Sequence, residues 1–255
     1  MRFPASTGVP ALLLAAVLAS PAGAAVTVAL GTSWDGPDHT LQKIVDARYG
    51  AGHINVATDY IGAHDGDIDP WFWVGEHFSA LLVTEVAGNA DRNTVGWYRE
   101  TFTAPVILND DVHDGVVFDG PSGAGTSRLV TFSQPLTKFG FYLDPNGPLD
   151  AVNAPQPERF YTDRFDDDAG PTGATALHAP LGGDVQALIF DVSPWTQPNT
   201  WLVCFEDLDA GAMPGPQGSA QTDDDYNDFV FEVTAFGATP VTPTTLGALK
   251  AQFRH

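Results

Sequence analysis

Thr200-Trp201-Leu202-Val203-Cys204-Phe205-Glu206-Asp207-Leu208 and Asp228-Phe229-Val230-Phe231-Glu232-Val233-Thr234-Ala235 are two short apolar runs, and their pairing decides the fold class. Both are rich in aromatic and β-branched residues, the composition of strands. In the second, Phe229, Phe231 and Val233 share one face by the two-residue period of a strand. Between them the seventeen residues Asp209–Asp225, rich in Gly, Pro, Ala and Asp, read as a long loop. If the two strands pair antiparallel, the end of the first lies beside the start of the second. Glu206 and Asp207 then face Asp225, Asn227 and Asp228 at one end of a sheet, with Asp223 and Asp224 above them.

The same texture extends outward along the chain. Gly and Pro recur about every ten residues with short β-branched and aromatic runs between them, the spacing of a sandwich or barrel rather than of βαβ units. Candidate strands are Ala25–Leu30, Ala80–Ala87, Thr94–Thr101, Val116–Phe118, Arg128–Ser133, Lys138–Leu143, Phe160–Asp163, Val185–Val192, Thr200–Leu208 and Asp228–Ala235. The expected class is all-β, an antiparallel sandwich of jelly-roll-like form with one short helix near the N-terminus. That helix is predicted where Leu41, Ile44, Val45 and Arg48-Tyr49 follow helical spacing, with Asp38 as its N-cap and Gly50 at its end.

Residues 1–24 read as a signal peptide. Met1-Arg2 is a small positive start, Ala11–Ala19 an apolar run too short to span a bilayer, and Pro21-Ala22-Gly23-Ala24 a small-residue cleavage site, so cleavage is expected after Ala24 and the product is secreted or held at the cell surface. Residues 25–236 are then the sandwich domain. Residues 237–255 are a Thr-Pro linker and a short tail in which Leu246, Leu249 and Phe253 share one helical face, with no membrane span. Losing Arg2 leaves 10 Lys and Arg against 32 Asp and Glu, a net charge of −22. Such a surface repels nucleic acid and anionic lipid. Cys204 is the only cysteine, so no intramolecular disulfide can form, and its apolar neighbours make it a buried, inert thiol.

Carboxylates crowded at one strand end cannot all stay ionised without a counter-charge. No Lys or Arg occurs between Trp201 and Ala235. A hard divalent cation is the natural neutraliser, and calcium takes six to eight oxygens from Asp, Glu, Asn and backbone carbonyls. Glu206, Asp207, Asp223, Asp225, Asn227 and Asp228 are the candidate calcium ligands; the alternative is a solvated acidic loop whose Asp and Asn residues make turns. Asp65-Gly66-Asp67-Ile68-Asp69-Pro70 with Glu76 mimics the outline of an EF-hand, but Pro70 stands where that loop requires Gly. Asn109–Asp114 and Asp163–Asp168 read as solvated loops. Enzyme signatures are thin: there is no H-E-x-x-H, nucleophile elbow or phosphate-binding glycine loop.

The pair of motifs Phe205-Glu206-Asp207-Leu208 and Asp225-Tyr226-Asn227-Asp228-Phe229-Val230-Phe231 resembles the signature of the bacterial domain of unknown function 4114, an exported module often carried by proteins with PEP-CTERM sorting tails. Leu41-Gln42 through Asp59 and Glu85 through Tyr98 are also similar, so the resemblance spans most of residues 40–235. It implies an exported β-sandwich whose motif residues, here Glu206, Asp207, Asp225, Asn227 and Asp228, serve catalysis or metal binding. The sorting tail itself is absent. Three functions follow as expectations. The first is a non-catalytic, calcium-stabilised module with a cell-surface, matrix or adhesive role, whose partner is an extracellular glycan or surface protein. The second is a carbohydrate-binding module with Trp71, Trp73, Trp97 or Trp195 as a stacking platform. The third is a glycoside hydrolase using Glu206 and Asp228 as its carboxylate pair.

Overall fold

In the computed structural model, residues 30, 35–61, 72–73, 76–86, 92–99, 107–134, 136, 138–145, 159–162, 185–207 and 224–236 are described. They form one short helix, α1 (Leu41–Tyr49), a single 3-10 turn (Ser193–Trp195) and ten strands. The strands are β1 (Phe72–Trp73), β2 (His77–Glu85), β3 (Thr94–Arg99), β4 (Asp114–Phe118), β5 (Ser127–Thr131), β6 (Lys138–Asp144), β7 (Phe160–Tyr161), β8 (Ala187–Asp191), β9 (Thr200–Phe205) and β10 (Phe229–Phe236). One sheet runs β1-β6-β3-β4, with β7 also on β6; the other runs β5-β2-β10-β9-β8. Every pairing is antiparallel. The chain changes sheet repeatedly, as in jelly rolls, so the predicted all-β sandwich is the fold.

Strand parity explains the layers. Phe229, Phe231, Val233 and Ala235 of β10 point between the sheets, where they meet Phe72, Phe78, Trp97, Phe139, Phe141 and Phe205. Rings from opposite sheets lock there: Phe78 stacks on Phe139 with centroids 4.9 Å apart, and Phe141 meets Phe231 edge-on at 5.0 Å. Such contacts add to the area buried and fix the sheets' relative position. The alternate residues Leu202, Cys204 and Val230 face outward and are covered by Leu41, Val45 and Tyr49 of α1 and by Ile54, Val56 and Tyr60 after it. Cys204 is fully buried, as expected, and burial pushes its thiol well above the usual range.

Expected strands within the described residues recur with shifted ends. Only Leu30 of the proposed Ala25–Leu30 strand is described, and it is not in a strand. The helix corrects one detail: its N-cap is Thr40, in extended backbone, and not Asp38. The Thr40 carbonyl accepts from Lys43 N and Ile44 N at 2.9 and 3.1 Å, which places the first turn two residues later than the acidic side chain suggested. Gly50 ends α1 as predicted. Its φ of 99° is a conformation that a side chain would strain, and its N–H donates to the Asp46 carbonyl. Gln42 then lashes the following loop to the helix, donating to Ile54 O and accepting from Val56 N. On the outer face of the first sheet, Tyr142 lies across Gly96, its β-ladder partner, where a Cβ would come within 2.2 Å of the ring. The expected signal peptide, linker and tail lie outside the described residues.

Candidate metal centre

β9 and β10 pair with Phe205 opposite Phe229, so the residues just beyond that pair converge. Glu206 and Asp207 leave β9 while Asp225, Tyr226, Asn227 and Asp228 lead into β10. One carboxylate oxygen from each of Glu206, Asp225 and Asp228 lies within 4.8 Å of the others, and all three residues are buried. This triad can hold a metal ion.

Local backbone geometry builds the arrangement. Asp224 and Tyr226 adopt φ of 51° and 56°, left-handed conformations that are costly for non-glycine residues. Three contacts hold the turn. Asn227 N donates to Asp225 Oδ1 at 3.1 Å, the Tyr226 hydroxyl donates to Val185 O at 2.8 Å, and the Tyr226 ring is buried against the helix side of the sheet. Glu206 N donates to Gln186 O, and Glu206 Oε2 accepts from Tyr226 N at 3.4 Å. Asp207 N donates to Asp228 Oδ2 at 2.8 Å. The Asn227 amide donates twice, to Asp225 Oδ2 at 2.7 Å and to the His39 carbonyl at 2.6 Å. The centre is thereby tied to the backbone just before α1. A further amide, that of Asn93 at the start of β3, donates to Asp207 Oδ2 at 3.0 Å from the opposite sheet.

Electrostatics make the cluster unstable as a set of bare anions. Burial, then the negative charges of Glu206 and Asp207, hold the Asp228 carboxyl far above the usual carboxylate range; the amide of Asp207 acts in the opposite direction without offsetting them. Buried carboxylates of this kind must take up protons or a cation. The donors are oxygens only, which suits a hard ion of the calcium or magnesium class rather than a thiolate- or imidazole-seeking metal.

No protein-family model matches the chain, and no curated protein or solved structure matches it.

Of the six ligands expected from sequence, Glu206, Asp225 and Asp228 form the triad, and Asp207 and Asn227 are hydrogen-bonded to it. Asp223 lies outside the described residues. Sequence reasoning did not single out Asn93 or the His39 carbonyl, which stand 114 and 188 positions from their partners and carry no local pattern that announces them. The acidic stretch Asn109–Asp114 is a self-satisfied turn, in line with its loop reading. Asp110 Oδ1 accepts from Val112 N and His113 N, and Asp114 accepts from Leu108 N and Asn109 N. Hydrogen bonds, the His113 amide foremost, hold the Asp110 carboxyl well below the usual range. Of the EF-hand-like run only Glu76 is described, and it is exposed. Among the tryptophans, Trp97 is withdrawn as a platform because it is packed between the sheets, 2% exposed. Trp195 is exposed and stacks on His53 at 5.6 Å. Trp71 and the Trp73 side chain lie outside the described residues.

Proposed function

We propose that this chain is an exported, non-catalytic β-sandwich stabilised by calcium, serving at the cell surface or in an extracellular matrix, where its partner is a glycan or a surface protein. The observation that carries the calcium assignment is the convergence of three buried carboxylates, from Glu206, Asp225 and Asp228, within 4.8 Å of one another. Protein oxygens in that density are what calcium takes. Export rests on the signal-like residues 1–24. In the oxidising compartment that export implies, a single cysteine leaves no intramolecular disulfide, which favours a bound ion as the staple. The likeness of the motif around Glu206 and Asp228 to domain of unknown function 4114 goes with export and leaves these residues for catalysis or metal binding.

Burial argues for a structural ion over hydrolysis. A glycosidase must bring a sugar linkage between its two carboxylates, whereas Glu206 is 0% and Asp228 6% exposed.

A thermal-shift titration tests the assignment. At about a hundred times its Kd, calcium stabilises by about 2.7 kcal/mol, a rise of roughly 5–10 °C in Tm for a domain of this size. EDTA should reverse the rise, and Asp225→Ala should abolish it. An unchanged Tm across millimolar calcium would sink the proposal.

A further inference from the structure

We infer that Asn93 is a ligand of the same cation through its amide oxygen, so that one ion bridges the two sheets of the sandwich; this rests on the calcium reading above. Asn93 precedes β3 in the sheet opposite the triad and is 0% exposed. Its Nδ2 donates to Asp207 Oδ2 at 3.0 Å, and Asp207 in turn donates its backbone N–H to Asp228 Oδ2 at 2.8 Å. The amide therefore meets the Asp207 carboxylate across the gap between the sheets, one residue from Glu206 and one backbone hydrogen bond from Asp228.

Its other end is the informative one. Asn93 Oδ1 is buried and meets no hydrogen-bond donor among the described residues. A buried acceptor in this state costs free energy comparable to a lost hydrogen bond, and native proteins rarely leave one so. With a cation bound the neighbouring carboxylates are ionised and only accept, so they cannot satisfy it. A cation satisfies the amide oxygen and the carboxylates together. Calcium commonly takes Asn side-chain oxygens alongside Asp and Glu, and the one converging oxygen from each of the three carboxylates leaves open most of the six to eight positions that it prefers.

The competing role is that Asn93 only positions Asp207. Two measurements on the mature chain separate them: calorimetric titration with Ca2+, and the luminescence lifetime of bound Eu3+ in H2O and D2O, which counts coordinated waters. If Asn93 ligates, Asn93→Ala weakens Ca2+ binding and admits one additional water to Eu3+; loss of a positioning contact alone already weakens binding by about tenfold, so the water count decides. Wild-type affinity and water count in Asn93→Ala overturn the inference and leave the calcium reading intact. So does weaker binding with an unchanged water count, which is the mark of positioning alone. A wild-type chain that binds neither ion removes both. Should Asn93→Ala fail to fold in EDTA, Asn93→Asp decides: its carboxylate can ligate but cannot donate to Asp207. Retained binding with the wild-type water count supports ligation, and lost binding overturns it.

Discussion

Asp228 concentrates the chemistry of the centre at a single carboxyl. It is buried beside Glu206 and Asp207, and its folded-state pKa lies well above that of an unfolded Asp. Below the unfolded value of about 4 the group is protonated in both states and exerts no penalty. As pH rises above it, the unfolded chain releases the proton while the folded chain retains it, so stability falls until the folded value is passed. In EDTA the protein should therefore melt higher at pH 5 than at pH 8, and Asp228→Asn should flatten that slope. Calcium should cancel the slope in the wild type, since it binds the deprotonated carboxylates, and should raise the Tm of Asp228→Asn less, since an amide oxygen ligates without the charge. An Asp228→Asn variant with wild-type slope and wild-type calcium response would show that this carboxyl is not part of the centre. Convergence of Glu206, Asp225 and Asp228 was legible in the sequence because it needs only two strands and an antiparallel pairing. Their burial was not, since it depends on what packs over them.

At the scale of elements, α1 is clamped to β10 by a charged contact on the outer face of the sheet. Arg48 donates to Glu232 at 2.7 and 2.6 Å, and the Tyr49 hydroxyl donates to the same carboxylate at 2.5 Å. Burial alone would raise Glu232, but these hydrogen bonds outweigh it and hold the carboxyl below its usual value. The Arg48 guanidinium is raised by the same bond, and the Tyr49 hydroxyl by burial and then by Glu232. A depressed carboxylate contributes stability above its unfolded pKa and loses it as pH falls through the folded one. Glu232→Gln should cost about 1 kcal/mol at pH 7, discounted for the partial exposure of Arg48. Urea denaturation measures it, and the gap from wild type should close in acid. The helix itself was readable from Leu41, Val45 and Tyr49 recurring every four residues. Its partner was not, because Glu232 lies 184 positions from Arg48 and looks, in sequence, like any outward strand residue.

For the whole molecule, the acidic chain, with a formal net charge of −21 at pH 7, gains cohesion from any cation that it binds, because self-repulsion opposes compaction. Export is tested by expression with residues 1–24 in place: the secreted product should begin at Ala25 on N-terminal sequencing, and retention of Met1 in a cytosolic product would refute it. The alternation of Phe229, Phe231 and Val233, the Gly and Pro punctuation and the acidic residues flanking two strands were enough to determine a sandwich and the end of the sheet where the carboxylates meet. These are properties of neighbours in the chain, governed by a period of two and by antiparallel geometry. Only the tertiary structure decided that α1 covers the outer face of β9 and β10, that Glu206 is sealed from solvent, and that Asn93 arrives at Asp207 from the other sheet. Desolvation is what turns a row of acidic residues into a centre that can hold a cation, and desolvation is the work of segments far away in sequence.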